Sequence, residues 1–167
     1  MDLQYFINHA DSLFTQIFMI VMGLLYAMAI VIGFSYKAVN IYCYFVLFPA
    51  SLLLFVFKSK YKYLILPLTF LFFLIPGIED YSVVWFDYAV VFLNSYADVF
   101  NSNYINASVY LCVLVPALIY SFAIYKRFGW EVFKIISGVV IGSAALYLLT
   151  IFPNFKPFLE YCVSIVQ

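Results

Sequence analysis

Long apolar runs alternate with short polar clusters along most of this chain. The runs cover residues 13–36, 39–57, 63–78, 107–125 and 132–152. A helix needs roughly 20 apolar residues, rising about 1.5 Å each, to cross the ~30 Å hydrocarbon layer of a bilayer. The pattern therefore predicts an all-α bundle of five transmembrane helices, with 63–78 short for a span.

The region between the third and fourth runs has a different pattern. It is acidic, contains no basic residue, and is largely apolar over residues 83–100. Its polar residues recur at intervals that place them on one face of a helix. We expect an amphipathic helix over 83–100 at the membrane interface, and its polar stripe is the best candidate functional surface: Asp80, Asp87, Asn94, Asp98 and Asn101.

The basic residues predict the topology. One cluster holds Lys58, Lys60 and Lys62, and a second holds Lys126, Arg127 and Lys134. Positive residues stay on the cytoplasmic side, so both clusters should share that side. We expect a multi-pass protein of a bacterial inner membrane with a cytoplasmic N-terminus and helix 83–100 on the outer face. A six-span alternative, in which that helix crosses, would export the second cluster.

Composition supports the bilayer as the main partner. The chain has 167 residues, of which 68% are hydrophobic and 10% charged, and its mean hydropathy is +1.08. Soluble domains are about 45–50% apolar and about 25% charged. The net charge of zero gives no reason to expect a nucleic-acid partner. Residues 1–167 are read as one transmembrane domain, and the N-terminus lacks the basic residues of a signal peptide.

Two proline-centred stretches resemble each other. When Pro49 is aligned with Pro116, the flanking Val, Leu, Ala and Phe residues match, and Ser35-Tyr36 resembles Asn103-Tyr104. Both prolines should kink their helices, because proline lacks a backbone donor. One interpretation is a parallel internal repeat with halves 1–80 and 81–167, related by an axis along the membrane normal. The other is convergent membrane composition.

Small residues at four-residue spacing predict close helix contacts, because they let backbones approach. They occur in the first run and the last run, and contacts within the chain are favoured over a dimer interface. The positions are Gly23, Ala27, Gly33, Gly138 and Gly142.

Signatures of enzyme chemistry are missing from the sequence. It contains no HExxH, GxSxG, Walker or GxGxxG motif. The only histidine is His9, and the three cysteines lie far apart. Asp87 and Asp98 are about three helical turns apart, which suits a solvated face better than a paired-carboxylate site. We expect no catalytic residue, cofactor or metal site.

Two functional hypotheses follow. The first is a non-enzymatic subunit or scaffold, acting by helix packing in a homo-oligomer or with other membrane proteins. The alternative is a small channel or solute transporter built on the two-fold repeat.

Overall fold

The computed structural model describes residues 8–56 and 63–166, with side chains as far as Tyr161. These residues are helical almost throughout and include no strand. The predicted basic cluster at Lys58–Lys62 and the third cysteine, Cys162, lie outside the described residues and side chains. The helices are α1 (Leu13–Ile32), α2 (Tyr36–Val56), α3 (Ile65–Phe73), α4 (Ile78–Val99), α5 (104–128), α6 (130–151) and α7 (Phe155–Val166).

Three helical stretches in the described part of the chain are long and apolar enough to cross a membrane. They are Leu13–Ile32, Tyr36–Val56 and Tyr104–Tyr161, and the bent pair α3–α4 would add a fourth. The third stretch exceeds one bilayer thickness at about 1.5 Å per residue. It is broken at Gly129, whose φ of 80° and ψ of −177° are accessible essentially to glycine alone. The described part of the chain is all-helical and its apolar helices are compatible with an integral membrane protein, while the predicted count of five spans is not confirmed.

The predicted short third span and the amphipathic helix form one bent unit. Helix α3 has only nine residues, and the chain turns by 96° before α4. Helix α4 begins five residues before the predicted start at residue 83 and ends at Val99. It buries Ser82, Leu93 and Ala97. Helix α4 therefore contributes to the core as well as presenting a polar face.

The corner between α1 and α2 has two capping devices. At the end of α1, Gly33 adopts the left-handed conformation with φ of 82°. The carbonyl of Ala29 accepts hydrogen bonds from the backbone N–H groups of Gly33 at 2.9 Å and Phe34 at 3.2 Å. The Ser35 hydroxyl then caps α2 by accepting from the Ala38 N–H at 3.3 Å. Together these bonds satisfy groups that the two helix ends would leave unpaired.

The corner between α4 and α5 repeats this arrangement. Asn101 is the residue with positive φ, at 48°. The Ala97 carbonyl accepts from the Ser102 N–H at 2.8 Å, and the Asn103 side chain caps α5 by accepting from the Asn106 N–H at 2.8 Å. Each of these residues follows its counterpart at the first corner by the same interval along the chain.

A widened turn precedes Pro49 in α2 and Pro116 in α5. The backbone N–H of Phe48 reaches back to the Cys43 carbonyl, and that of Val115 reaches back to Tyr110. These five-residue steps are π-helical and occupy Tyr42–Leu47 and Tyr110–Leu114. Such turns occur as local bulges in α-helices and redirect the helix axis.

The buried apolar residues of the described chain include two similar clusters. The first contains Leu25, Ala29 and Val39, and the second contains Leu93, Ala97 and Ala107. Each member of the second cluster follows its counterpart in the first by the same interval along the chain as the matching residues of the two corners. Each cluster joins the end of one long helix to the start of the next.

Helices α2 and α5 lie side by side beyond their π-helical turns. The rings of Phe48 and Tyr120 have centroids 5.4 Å apart, and those of Phe55 and Phe128 are 5.5 Å apart. The contacts follow the same order along both helices, so α2 and α5 run in the same direction. The hydroxyls of Ser51 and Tyr120 also contact each other.

The C-terminal region is joined to α1 through Gln16, which is 1% exposed. Its amide nitrogen donates to the carbonyls of Ala10 at 2.8 Å and Phe152 at 3.1 Å. Its amide oxygen accepts from the Tyr147 hydroxyl at 2.5 Å. The side chain therefore links the N-terminal lead-in, α1 and the end of α6.

Candidate ligand cavity

A partly enclosed cavity of about 270 Å³ lies among α1, α2, α4 and α5. Its walls are aromatic and aliphatic, and none of the side chains that line it is charged. An apolar cleft with a few polar groups is the usual form of a small-molecule site. The lining residues are Phe18, Val21, Met22, Leu25, Tyr36, Asn40, Tyr44, Phe45, Phe48, Phe86, Ala89, Val90, Phe92, Leu93, Tyr104, Ser108, Val109, Leu111, Cys112, Val113, Val115 and Pro116.

Two aromatic contacts between matching residues line the cavity. Phe18 of α1 meets Tyr104 of α5 with ring centroids 6.0 Å apart and planes at 77°. Phe86 of α4 meets Tyr36 of α2 at 6.0 Å and 73°. Both are edge-to-face contacts, which aromatic quadrupoles favour. Each pair joins the first part of the chain to the second, so the cavity lies between them.

Two of the polar side chains that line the cavity, Asn40 and Ser108, sit one helical turn after Tyr36 and Tyr104. Asn40 donates from its side-chain nitrogen to the Tyr36 hydroxyl at 3.5 Å. Ser108 occupies the corresponding place after Tyr104 and is 6% exposed. Ser108 interacts with the Tyr104 hydroxyl, but its Oγ has no partner within normal hydrogen-bond distance. The Ser108 oxygen is itself enclosed by protein atoms, so it offers no surface to a ligand in the cavity.

The predicted polar stripe lies away from this cavity. Its five residues, Asp80, Asp87, Asn94, Asp98 and Asn101, are all exposed, and none lines the cavity. The Asp87 carboxylate accepts from Lys37 Nζ at 2.7 Å. Asn101 follows the end of α4 and serves the corner described above. The stripe remains a predicted functional surface with one ion pair on it.

The predicted helix-packing positions have open surroundings. A Cβ atom placed on Gly23, Gly138 or Gly142 would meet nothing within 4 Å among the described residues. Ala27 is exposed, and Gly33 ends α1. Among the described residues no close contact is seen at these positions, and their packing role stays a prediction.

The two prolines differ in their relation to the cavity. Pro116 lines it, whereas Pro49 does not. The cavity residues that the sequence did not single out include the two aromatic pairs, Asn40 and Ser108. The similarity of Ser35-Tyr36 to Asn103-Tyr104 was the one sign of these residues in the sequence. It indicated an internal repeat and not a binding site.

Metal chemistry finds no support in the described part of the chain. No group of three or more His, Cys, Asp or Glu side chains there could hold a metal ion. His9 is exposed at the N-terminal lead-in. Cys43 and Cys112 are unpaired thiols within α2 and α5.

Comparison with known proteins gives no family assignment. No protein-family model, curated protein or solved structure matches this chain. The proposal of a function therefore rests on the cavity and on the similarity between the two corners.

Proposed function

We propose that this chain is a solute-binding membrane protein, of the small carrier or channel class, and that its site is the central cavity. We further propose that residues 13–56 and 81–128 are the cores of two repeated units. The observation that carries the proposal is the position of the cavity between two sets of matched side chains. Binding sites of carriers with internal repeats lie at the interface between the repeats.

The direction of α2 and α5 supports a parallel repeat. A two-fold rotation leaves a helix direction unchanged only when the helix runs along the axis. Because Phe48 and Phe55 meet Tyr120 and Phe128 in the same order, such an axis would run beside α2 and α5. It would place the ends of α2 and α5 on the same side of the membrane. The first basic cluster follows the end of α2 along the chain, and Lys126 and Arg127 of the second cluster lie in α5.

The chemistry of the cavity favours an uncharged solute. Carrying an ion into the apolar interior would require a compensating charge or a set of polar ligands. The cavity offers hydroxyls and one amide, and none of the charged side chains of α4 lines it. An ion pathway along the acidic stripe therefore has less support than binding of a neutral molecule.

The test is photoaffinity labelling of the full chain in proteoliposomes. Two neutral probes are used in parallel, isotope-labelled benzophenone and an alkyl ketone that carries a diazirine. We expect saturable adducts with at least one probe on peptides of α1, α2, α4 or α5 that line the cavity. The Val90→Phe variant fills the cavity and should abolish most of this labelling.

The neighbouring Val91→Phe variant is the matched control. Val91 is 63% exposed and does not line the cavity, so the same enlargement should leave labelling unchanged. Labelling that is unsaturable with both probes, or equal in the two variants, would contradict the proposal.

A second candidate function is a packing subunit of a membrane complex. The observation that favours it is the uncovered small-residue face of α6 around Gly138 and Gly142. Small residues allow close approach of another helix in lipid. Cross-linking in native membranes should then recover an oligomer whose yield falls in Gly138→Leu and Gly142→Leu. The control is Val139→Leu, and unchanged yield in all three variants would remove this candidate.

A further inference from the structure

We infer that the break between α5 and α6 is a binding surface for the headgroup of an anionic phospholipid, with Lys126 as its main cationic contact. This surface, residues 122–134, is called the Gly129 elbow. The inference is independent of the cavity and of the proposed function. Its evidence is the position of the charges along the stretch, the aromatic cluster at the break and the different partners of the two lysines.

The elbow is the point at which this part of the chain meets the membrane surface. The stretch Tyr104–Tyr161 holds 58 residues, about three times the length that one crossing needs. Every charged residue between positions 104 and 155 lies within the elbow. Gly129 redirects the chain there, since its φ of 80° and ψ of −177° are accessible essentially to glycine alone. The headgroup layer, and not the acyl chains, is therefore the part of the lipid that the charged elbow contacts.

Aromatic rings hold the two helix ends together at the elbow. The Tyr125 ring centroid lies 6.2 Å from that of Trp130 and 5.9 Å from that of Phe133. Trp130 and Phe133 are stacked at 5.5 Å with planes at 23°. Trp130 is nevertheless 57% exposed. An exposed tryptophan in an apolar chain favours the membrane interface, where the ring is in apolar contact and the N–H reaches polar groups. The cluster therefore keeps the elbow at the depth of the headgroups.

The two lysines of the elbow differ in their partners. Lys134 Nζ pairs with the Glu131 carboxylate at 2.9 Å and lies 6.0 Å from the centre of the Trp130 ring. Lys126 is exposed, and its Nζ lies 5.6 Å from the centre of the Phe122 ring. Within the part of the chain that the structure describes, Lys126 forms no ion pair. The charge of Lys126 is therefore available to a ligand, whereas Glu131 partly neutralises that of Lys134.

The charge of the elbow is complementary to an anionic headgroup. It contains three basic residues, Lys126, Arg127 and Lys134, and one acidic residue, Glu131. A basic residue close to the membrane surface corresponds to about a 5-fold gain in attraction to anionic lipid. The choline group of phosphatidylcholine cancels the charge of its phosphate. We therefore expect the elbow to prefer phosphatidylglycerol to phosphatidylcholine.

The experiment uses the fluorescence of Trp130 in the full chain. The sequence has two tryptophans, so Trp85→Phe leaves Trp130 as the only one. This parent variant is reconstituted in mixed vesicles of the two lipids, with bromine, which quenches a nearby indole, on the acyl chains of one lipid or the other. The quenching should correspond to a preference of about 5-fold for phosphatidylglycerol. Equal quenching by the two lipids at equal mole fraction would overturn the inference.

Two opposite changes of charge test the residues. Lys126→Gln should lower the preference by about 2- to 5-fold, and Glu131→Gln should raise it by a similar factor because it frees Lys134. A variant that merely fails to fold cannot produce such a gain. The matched controls are Lys156→Gln and Glu160→Gln, which lie beyond the other end of α6, about 30 Å away along the helix. They should leave the preference unchanged, and equal effects in elbow and control variants would overturn the site.

Salt distinguishes a lipid headgroup from a free phosphate ion. Raising sodium chloride from about 0.1 to about 1 M shortens the Debye length from about 10 to about 3 Å and should reduce the preference. Sodium phosphate of equal ionic strength should reduce it no further. A preference that is insensitive to salt would overturn the contact between charges. A greater loss in phosphate would mean that the elbow binds a free anion and would overturn the lipid as its ligand.

Discussion

The corner between α1 and α2 and the corner between α4 and α5 have the same construction but different surroundings. Both have a residue with positive φ, a side-chain cap, a small buried cluster and a π-helical turn before a proline. The first unit alone carries Gln16, which binds the C-terminal region, while the matching position, Val84, is exposed. The features that the two corners share form the cavity. The feature that they do not share, Gln16, attaches the C-terminal region to α1.

A second difference lies between α2 and α4. Lys37 pairs with Asp87 and lies 5.7 Å from the centre of the Phe86 ring, and Glu79 accepts from the backbone N–H of Ser35 at 2.8 Å. The matching positions for Lys37 and Asp87 are Ile105 and Met19, which cannot form an ion pair. One wall of the cavity is thus held by charge as well as by packing.

The largest expected effect tests whether the two clusters are equivalent. Leu25→Ala and Leu93→Ala should each lower the free energy of unfolding by about 2–3 kcal/mol. This is the lower part of the range for buried leucine, because lipid is as apolar as the side chain and mainly packing is lost. Unfolding in mixed dodecyl maltoside and SDS micelles, followed by circular dichroism, measures both. A difference of more than about 1 kcal/mol between them would count against the equivalence, and exposed Leu24→Ala is the control.

The next largest loss in the free energy of unfolding is expected for a substitution in residues 13–56 and not for the matching one in residues 81–128. Gln16→Leu removes three hydrogen bonds and should cost about 1–2 kcal/mol, since Tyr147 and Phe152 are only partly buried and can find other partners. Val84→Leu, at the matching position, should change the free energy of unfolding by less than about 0.5 kcal/mol. The same unfolding assay decides this, and equal costs would mean that the asymmetry has no energetic weight.

The two helix caps should have similar, smaller effects. Ser35→Ala and Asn103→Ala each remove the side-chain acceptor at a helix start and should cost about 1 kcal/mol. Ser95→Ala is the control, because its exposed hydroxyl bonds to the Val91 carbonyl within α4. A cap effect in one unit only would show that the two corners differ in strength.

The smallest effect concerns the ion pair between α2 and α4. Lys37→Ala or Asp87→Ala should cost about 0.2–1 kcal/mol, because the pair is exposed and screened. Added salt should reduce the difference from the parent protein, and the double variant should cost no more than either single one. A loss well above this range would mean that the pair is energetically coupled to Phe86 and the cavity wall.

The apolar runs predicted α1, α2 and α6 with good agreement. The runs 13–36, 39–57 and 132–152 correspond to Leu13–Ile32, Tyr36–Val56 and residues 130–151. The end of α1 was placed too late because Gly33 was taken as a packing residue. The left-handed turn at that glycine stops the helix, and glycine at a helix end is a known sign of this.

The cavity could not be predicted from the sequence, for a physical reason. Helical periodicity predicts which side chains share a face, but not which face of another helix they meet. Phe18 and Tyr104, or Phe86 and Tyr36, come together only through the packing of distant segments. The alignment of Pro49 with Pro116 was useful because it brought the two tyrosines to nearly matching places.

When Pro49 is aligned with Pro116, Tyr36 and Tyr104 fall one residue out of register. The π-helical turns between the tyrosines and the prolines account for this difference. The first holds six residues and the second five, and the interval between the two prolines is one residue shorter than that between the two tyrosines. A wide turn can gain or lose a residue while the segments on either side keep their contacts. For the proposed repeat, a turn of variable width would let the two segments differ in length by one residue while the contacts Phe18–Tyr104 and Phe86–Tyr36 are kept.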